Sequence, residues 1–290
     1  MKKAVKNIWK IICYPMLYLG MQVAVSFVYA IALGLFIAIK LGIESAISGG
    51  SAQADNAGQL VYSQINLMIP VVVSAFGTLL IIFFILRKEW KTEKFWSFAG
   101  VKISPALLCL SLGIAANILT ICILSMLSVS QQPSPLDDLF GNSLIVDLLV
   151  VAVLAPVLEE IIFRGIVLKR LSKITRRNTA VFLQALIFGI IHLNLLQGVY
   201  AFFLAIFIGY IYIWFDSVWY AVLIHVAYNA TNILLLYIFG DSEVNLFYFL
   251  VISGLVFIVS MASLVALADR RKEKAYPDNY PGNNNNRWQL

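Results

Sequence analysis

Apolar stretches of membrane-spanning length recur along this 290-residue chain. A helix needs about 20 predominantly apolar residues to cross a bilayer, and such stretches lie at residues 11–39, 61–86, 105–128, 143–168, 179–193, 197–214, 217–238 and 246–268. Only 12% of the residues are charged, whereas a soluble globular domain carries about 25%. In lipid, a helix satisfies its own backbone polar groups. The sequence therefore predicts an all-α, polytopic membrane protein with about eight transmembrane helices.

The basic residues are placed asymmetrically around these stretches. They cluster before the first span, between the second and third, after the fourth and after the eighth. With eight spans, these clusters share one side of the membrane, and the positive-inside rule predicts that both termini are cytoplasmic. Topology thus explains the net charge of +6, and we expect no nucleic-acid partner.

Three segments outside the spans have distinct compositions. Residues 43–60 are rich in Gly and Ser and predict an external loop. Residues 87–102 interleave aromatic residues with lysines, which is typical of a helix at the membrane interface. The segment from residue 276 onward is of low complexity and predicts a disordered tail. The three cysteines show no ligand spacing and are odd in number, so they are interpreted as packing residues.

Three charged residues lie inside the fourth apolar stretch: Glu159, Glu160 and Arg164. Charges at such depth cost about 2.5 to 3.5 kcal/mol each on insertion scales and are usually functional. Glu160 and Arg164 are four residues apart, so a helix brings them together as an ion pair. Glu159 points about 100° away and lacks this partner, which leaves it free for chemistry. Pro156 is expected to kink the helix just before this group. The alternative is a purely structural ion pair.

The two histidines of the chain, His192 and His225, also lie in apolar stretches. At a rise of about 1.5 Å per residue, they and Glu159 fall at similar depth, in the middle to cytoplasmic half of the membrane. Phe188 precedes His192 by four residues and Asn229 follows His225 by four, so each shares a helix face with its histidine. A lone buried histidine is more often structural, but this combination predicts one shared polar cavity.

A glutamate, two histidines and an asparagine support two kinds of water activation. A carboxylate and an imidazole can deprotonate water for attack on a carbonyl, while an imidazole and a carboxamide donate hydrogen bonds to the oxyanion. Alternatively, Glu159, His192 and His225 are a usable zinc set, and zinc lowers the pKa of bound water. The sequence has neither an H-E-x-x-H motif nor a G-x-S-x-G motif. The residues alone leave both alternatives open.

Three patterns, E-E-x-x-x-R at Glu159–Arg164, F-x-x-x-H at Phe188–His192 and H-x-x-x-N at His225–Asn229, resemble the motifs of the CAAX protease and bacteriocin-processing (CPBP, Abi) family. Their order and spacing match, and the resemblance covers about residues 145–235. It implies an intramembrane endopeptidase with an eight-span helical fold, similar to the type II CAAX prenyl endopeptidases. Bacterial members are linked to bacteriocin immunity, peptide maturation and regulation of surface processes.

The resemblance also implies roles for individual residues. It gives four catalytic residues: Glu159, His192, His225 and Asn229. The first two activate water, and the last two stabilise the oxyanion. It gives three supporting residues: Glu160, Arg164 and Phe188. A metal-free mechanism is favoured because the set includes an asparagine in an oxyanion role, and a zinc ion held by Glu159, His192 and His225 is the alternative.

We expect three units along the chain. Residues 1–142 hold the first three transmembrane helices, residues 143–238 form the catalytic core, and residues 239–290 hold the last helix and the tail. The expected substrate is a membrane-embedded or lipid-modified peptide, and the expected location is the bacterial cytoplasmic membrane. The alternative function is a non-catalytic membrane partner, an immunity protein or a modulator of a sensor kinase, on the same scaffold. A proton- or ion-coupled transporter is a third hypothesis.

Overall fold

The computed structural model of the protein describes residues 2–47, 68–92, 100–127, 143–239 and 246–275. We number the helices in these ranges α1 to α8 in chain order. They are α1 Lys2–Ile47, α2 Met68–Thr92, α3 Ile103–Met126, α4 at residues 144–171, α5 Arg177–Ile190, α6 Leu195–Phe215, α7 Val218–Phe239 and α8 Leu246–Ala275.

Six of the described helices are long and apolar enough to cross a membrane: α1, α2, α3, α6, α7 and α8. The prediction of an all-α polytopic membrane fold is therefore confirmed. Helices α4 and α5 coincide with the fourth and fifth predicted spans, but α5 has 14 residues and is about 21 Å long. The count of eight spans, the placement of the termini and the division into three units stay predictions.

The segments predicted to lie outside the membrane are only partly within the described ranges. Helix α1 continues to Ile47, so the predicted loop at 43–60 was placed too early in the chain, and its remainder from residue 48 lies outside the described residues. Helix α2 likewise continues to Thr92, into the predicted interfacial segment. The predicted tail from residue 276 lies outside the described residues. All three cysteines are unpaired, as expected.

Helix α3 approaches α7 closely enough to require a glycine. Both α7 and α8 pack against α3. A Cβ atom added at Gly113 would lie 2.3 Å from the carbonyl oxygen of Ile224, which is far inside van der Waals contact. Because Ile224 is the neighbour of His225, this crossing fixes the position of a predicted site residue.

Helices α5 and α6 form a tight hairpin that carries the other histidine. A Cβ atom at Gly189 would lie 2.6 Å from the carbonyl oxygen of Gly198, and small residues at such crossings let membrane helices approach closely. His192 lies in the short connection that follows α5. The next residue, Leu193, has a φ of 56°, a region that costs a non-glycine residue of order 1 to 3 kcal/mol and that is often found at functional sites.

Helix α4 alternates between α-helical and π-helical turns. Residues Leu148–Leu154 and Ile161–Leu168 are π-helical, and Ala155–Glu160 between them is α-helical. In a π-helical turn each N–H bonds to the carbonyl five residues back, and such turns are frequent at functional sites. Helix α4 packs against α1, α2 and α7, so it lies at the centre of the contacts that build the site.

Candidate functional site

The centre of the site is a fully buried ion pair within α4. Arg164 Nη1 lies 2.8 Å from Glu160 Oε1, and both side chains are 0% exposed. The predicted pairing at a spacing of four residues is therefore present. A second guanidinium nitrogen, Nη2, donates to the carbonyl oxygen of Ala205 at 3.4 Å. Because Ala205 belongs to α6, the arginine also ties α4 to that helix.

His225 lies between two carboxylates of α4. Its Nδ1 is 2.7 Å from Glu160 Oε1, and its Nε2 is 3.8 Å from Glu159 Oε2. An ionised carboxylate only accepts hydrogen bonds, so the Nδ1 atom that faces Glu160 carries the hydrogen. The buried ion pair thus orients the imidazole and directs its other nitrogen towards Glu159.

Glu159 has a partner that the sequence reasoning did not predict. The hydroxyl of Tyr18 on α1 donates to Glu159 Oε1 at 3.1 Å. Glu159 makes no ion pair with Arg164 among the described contacts, as the spacing predicts, and its carboxylate accepts the Tyr18 hydrogen bond instead. The Glu159 side chain is 16% exposed, so it remains more accessible than its neighbour Glu160.

The ring of Phe188 contacts the imidazoles of both His192 and His225. Its centroid lies 4.8 Å from that of His192 and 5.9 Å from that of His225, both in edge-to-face geometry. The guanidinium carbon of Arg164 lies 5.1 Å from the same centroid. Phe188 is buried, so it holds three site residues from three segments of the chain in a fixed arrangement.

His192 is half-buried in the connection between α5 and α6, with its Nδ1 2.7 Å from the carbonyl oxygen of Phe188. A carbonyl oxygen only accepts, so Nδ1 carries the hydrogen and Nε2 of the neutral ring is the acceptor. Within the described residues no ion-pair contact joins His192 to Glu159. His192 contacts the ring of Phe188, which also contacts His225 and Arg164. The acceptor nitrogen of His192, Nε2, is suited to take a proton from water.

Asn229 is bonded to the backbone of α4. Its side-chain nitrogen donates to the carbonyl oxygen of Val151 at 3.1 Å. The last π-helical bond runs from Ala155 to Val150, and the next in the series would run from Pro156 to Val151. Proline has no N–H, so Asn229 supplies the missing donor. The amide nitrogen carries two hydrogens, and this bond uses one of them.

The zinc alternative requires three converging ligands, as catalytic zinc sites usually have. Among the described residues, no three His, Cys, Asp or Glu side chains come close enough to hold a metal ion. Glu159 and His225 are neighbours, whereas the ring contact given for His192 is with Phe188. As placed, these residues do not fit a three-ligand zinc site.

Residues 141–231 match the family model described as type II CAAX prenyl endopeptidase Rce1-like. This match confirms the resemblance recognised in the sequence and points to a protease of the CAAX type. The matched segment contains the predicted site residues from Glu159 to Asn229, while Tyr18 lies outside it. No curated protein and no solved structure matches the chain.

Proposed function

We propose that this protein is an intramembrane endopeptidase that hydrolyses a peptide bond of a membrane-associated peptide with a water molecule activated by Glu159 and His192. The observation that carries this proposal is that His225 contacts both the partly exposed Glu159 carboxylate and the Phe188 ring, which in turn contacts His192. All four residues lie within the segment that matches a peptidase family.

We assign water activation to Glu159 and His192. A water molecule between the Glu159 carboxylate and His192 Nε2 loses a proton as its oxygen attacks the scissile carbonyl carbon. The tetrahedral intermediate then collapses, the C–N bond breaks, and the same proton passes to the leaving amine. The backbone bond at His192 Nδ1 supports this role because it keeps Nε2 as the acceptor.

Oxyanion stabilisation is assigned to His225 and Asn229. His225 donates from Nε2 when the ring is the imidazolium, since Nδ1 already donates to Glu160. Its positive charge is then offset by the carboxylates on either side. Asn229 contributes the amide hydrogen that Val151 does not use. The loss of one oxyanion donor typically costs about 10²- to 10³-fold in kcat.

The family match directs the choice of substrate class. The matching model is that of a CAAX prenyl endopeptidase, so the proposed substrate is a peptide with a prenylated cysteine, held at the membrane by its lipid. Bacteriocin immunity and peptide maturation in a bacterial cytoplasmic membrane are narrower roles that the same reaction would serve. We take the metal-free alternative because the set of site residues includes Asn229 in an oxyanion role.

The test uses the purified protein in liposomes and an internally quenched, farnesylated peptide that ends in a CAAX sequence. We expect the wild type to cleave it and to keep its activity after dialysis against 1,10-phenanthroline. Glu159→Gln and His192→Ala are expected to lose at least about 100-fold in kcat, the lower end for a general base.

Asp147→Asn is the matched control, because Asp147 is another buried carboxylate of α4 that instead bonds to Tyr237. It should cleave at the rate of the wild type per folded molecule. A wild type that does not cleave the peptide, or a Glu159→Gln variant as fast as the wild type, would overturn the proposal.

The non-catalytic alternative makes the opposite prediction in cells. If the protein acts only as a binding partner, Glu159→Ala expressed at normal membrane level in a deletion strain restores the phenotype fully. If it is a peptidase, the same variant fails to do so and the uncleaved precursor accumulates.

A further inference from the structure

Helix α1 lies outside the family match, yet it reaches the site through one side chain. Only 6% of the membrane-length apolar window of α1 is buried, so this helix contributes little to the core along most of its length. Near its N-terminal end, the buried residues are Ile11, Tyr14, Pro15 and Tyr18. Of these, Tyr18 is 6% exposed and directs its hydroxyl to Glu159, 141 positions away in the chain.

We propose that Tyr18 is a positioning residue that orients the Glu159 carboxylate for water activation. This inference rests on the proposed function. The hydroxyl holds Oε1 at 3.1 Å, and the other oxygen, Oε2, faces His225 Nε2 at 3.8 Å. The terminal torsion of a glutamate is broad and roughly two-fold. Without the Tyr18 hydroxyl, no described contact of Oε1 fixes which carboxylate oxygen faces the attacking water.

The hydroxyl, rather than the ring, carries this role. The O–H hydrogen is directed towards Glu159, because an ionised carboxylate only accepts hydrogen bonds. Ring packing alone would be served equally by phenylalanine, and hydrogen bonds to an ionised group are roughly twice as strong as those between neutral groups.

The first test is Tyr18→Phe, measured on the farnesylated CAAX peptide in liposomes. We expect kcat to fall about 10-fold while KM changes less than about 2-fold, because the lost bond acts on the reacting carboxylate and not on substrate binding. Tyr14→Phe is the matched control, since Tyr14 lies one turn away and packs its ring near the guanidinium of Arg170 at 5.9 Å. It should keep the kcat of the wild type.

A second variant separates the hydrogen bond from any loss of packing. Tyr18→Phe and Tyr18→Leu both lack the hydroxyl, but only phenylalanine keeps the ring. We expect both variants to lose kcat per folded molecule by a similar factor, while Tyr18→Leu also loses stability. Wild-type kcat in Tyr18→Phe, or a loss of kcat per folded molecule in Tyr18→Leu alone, overturns the positioning role.

The outcomes distinguish this inference from the proposed function. If Glu159→Gln is inactive and Tyr18→Phe is unaffected, the positioning role fails and the peptidase proposal stands. If the wild type does not cleave the peptide, or Glu159→Gln is as active as the wild type, the proposed function fails and the role of Tyr18 falls with it.

Discussion

Replacement of Arg164 by methionine tests how the centre of the site is held together. Methionine keeps an unbranched apolar side chain and removes the guanidinium. Glu160 then loses the partner at 2.8 Å, and its remaining hydrogen bond among the described residues is the one to His225. Because the carboxylate is 0% exposed, water cannot replace the missing donor. We therefore expect Arg164→Met to lower the free energy of unfolding strongly. The double variant, in which Glu160→Gln also removes the carboxylate charge, should lower it less.

The magnitude follows from the burial of both partners. Breaking a buried ion pair by removal of one partner costs about 3 to 5 kcal/mol, because an uncompensated charge is left behind. Arg164 also gives up its bond to Ala205 and its position over Phe188, so the upper half of this range applies. Native proteins are stable by only about 5 to 15 kcal/mol, and Arg164→Met should therefore unfold a substantial fraction of the protein under mild denaturation.

The assay is equilibrium unfolding in mixed micelles, followed by tryptophan fluorescence, on the wild type, Arg164→Met, Glu160→Gln and the double variant. We expect the double variant to lose at least about 2 kcal/mol less than the sum of the single losses, since it leaves no unpaired charge. Single losses that add to within about 0.5 kcal/mol would show that the two groups are not energetically coupled. That result, or a loss below about 1 kcal/mol in Arg164→Met, would refute this account of the pair.

Two further substitutions test contacts that position the site. Gly113→Ala should destabilise the protein by about 1 to 3 kcal/mol in the same unfolding assay, because the new Cβ would lie 2.3 Å from the carbonyl oxygen of Ile224; an unchanged midpoint would contradict the close crossing. Asn229→Ala should cost about 1 to 3 kcal/mol by leaving the Val151 carbonyl without its donor, as well as lowering kcat. A variant with normal stability and lowered kcat would assign Asn229 to catalysis alone.

Much of the site could be predicted from local spacing. The ion pair of Glu160 and Arg164 required only that residues four apart on a helix are neighbours, and the structure contains that pair. The same rule placed Phe188 beside His192, and their rings are in contact. Depth along each helix, at a constant rise per residue, then indicated that residues of three helices would meet. These inferences need helical geometry and no knowledge of how the helices pack.

The role of Asn229 in the fold could not be predicted in this way. Pro156 was expected to kink the helix, and in an α-helix a proline there leaves the carbonyl four residues back, that of Ala152, without a donor. The structure has π-helical turns before the proline, so the carbonyl that receives the replacement donor is that of Val151. The choice between α-helical and π-helical turns depends on the packing of α4 against its neighbours, which local sequence does not encode.

The contribution of Tyr18 was missed for a different physical reason. A helix that is apolar on all sides has no face that sequence can assign to the protein rather than to lipid, and α1 is of this kind over most of its length. The buried face at positions 11, 14, 15 and 18 is recognisable only once the contact with α4 is known. This contact extends the site beyond the segment that matches the family model. The family match begins at residue 141, but a described hydrogen-bond donor to the proposed catalytic carboxylate lies on the first helix. Residues 143–238 therefore hold the proposed reacting groups, while the orientation of Glu159 depends on a helix from the first predicted unit.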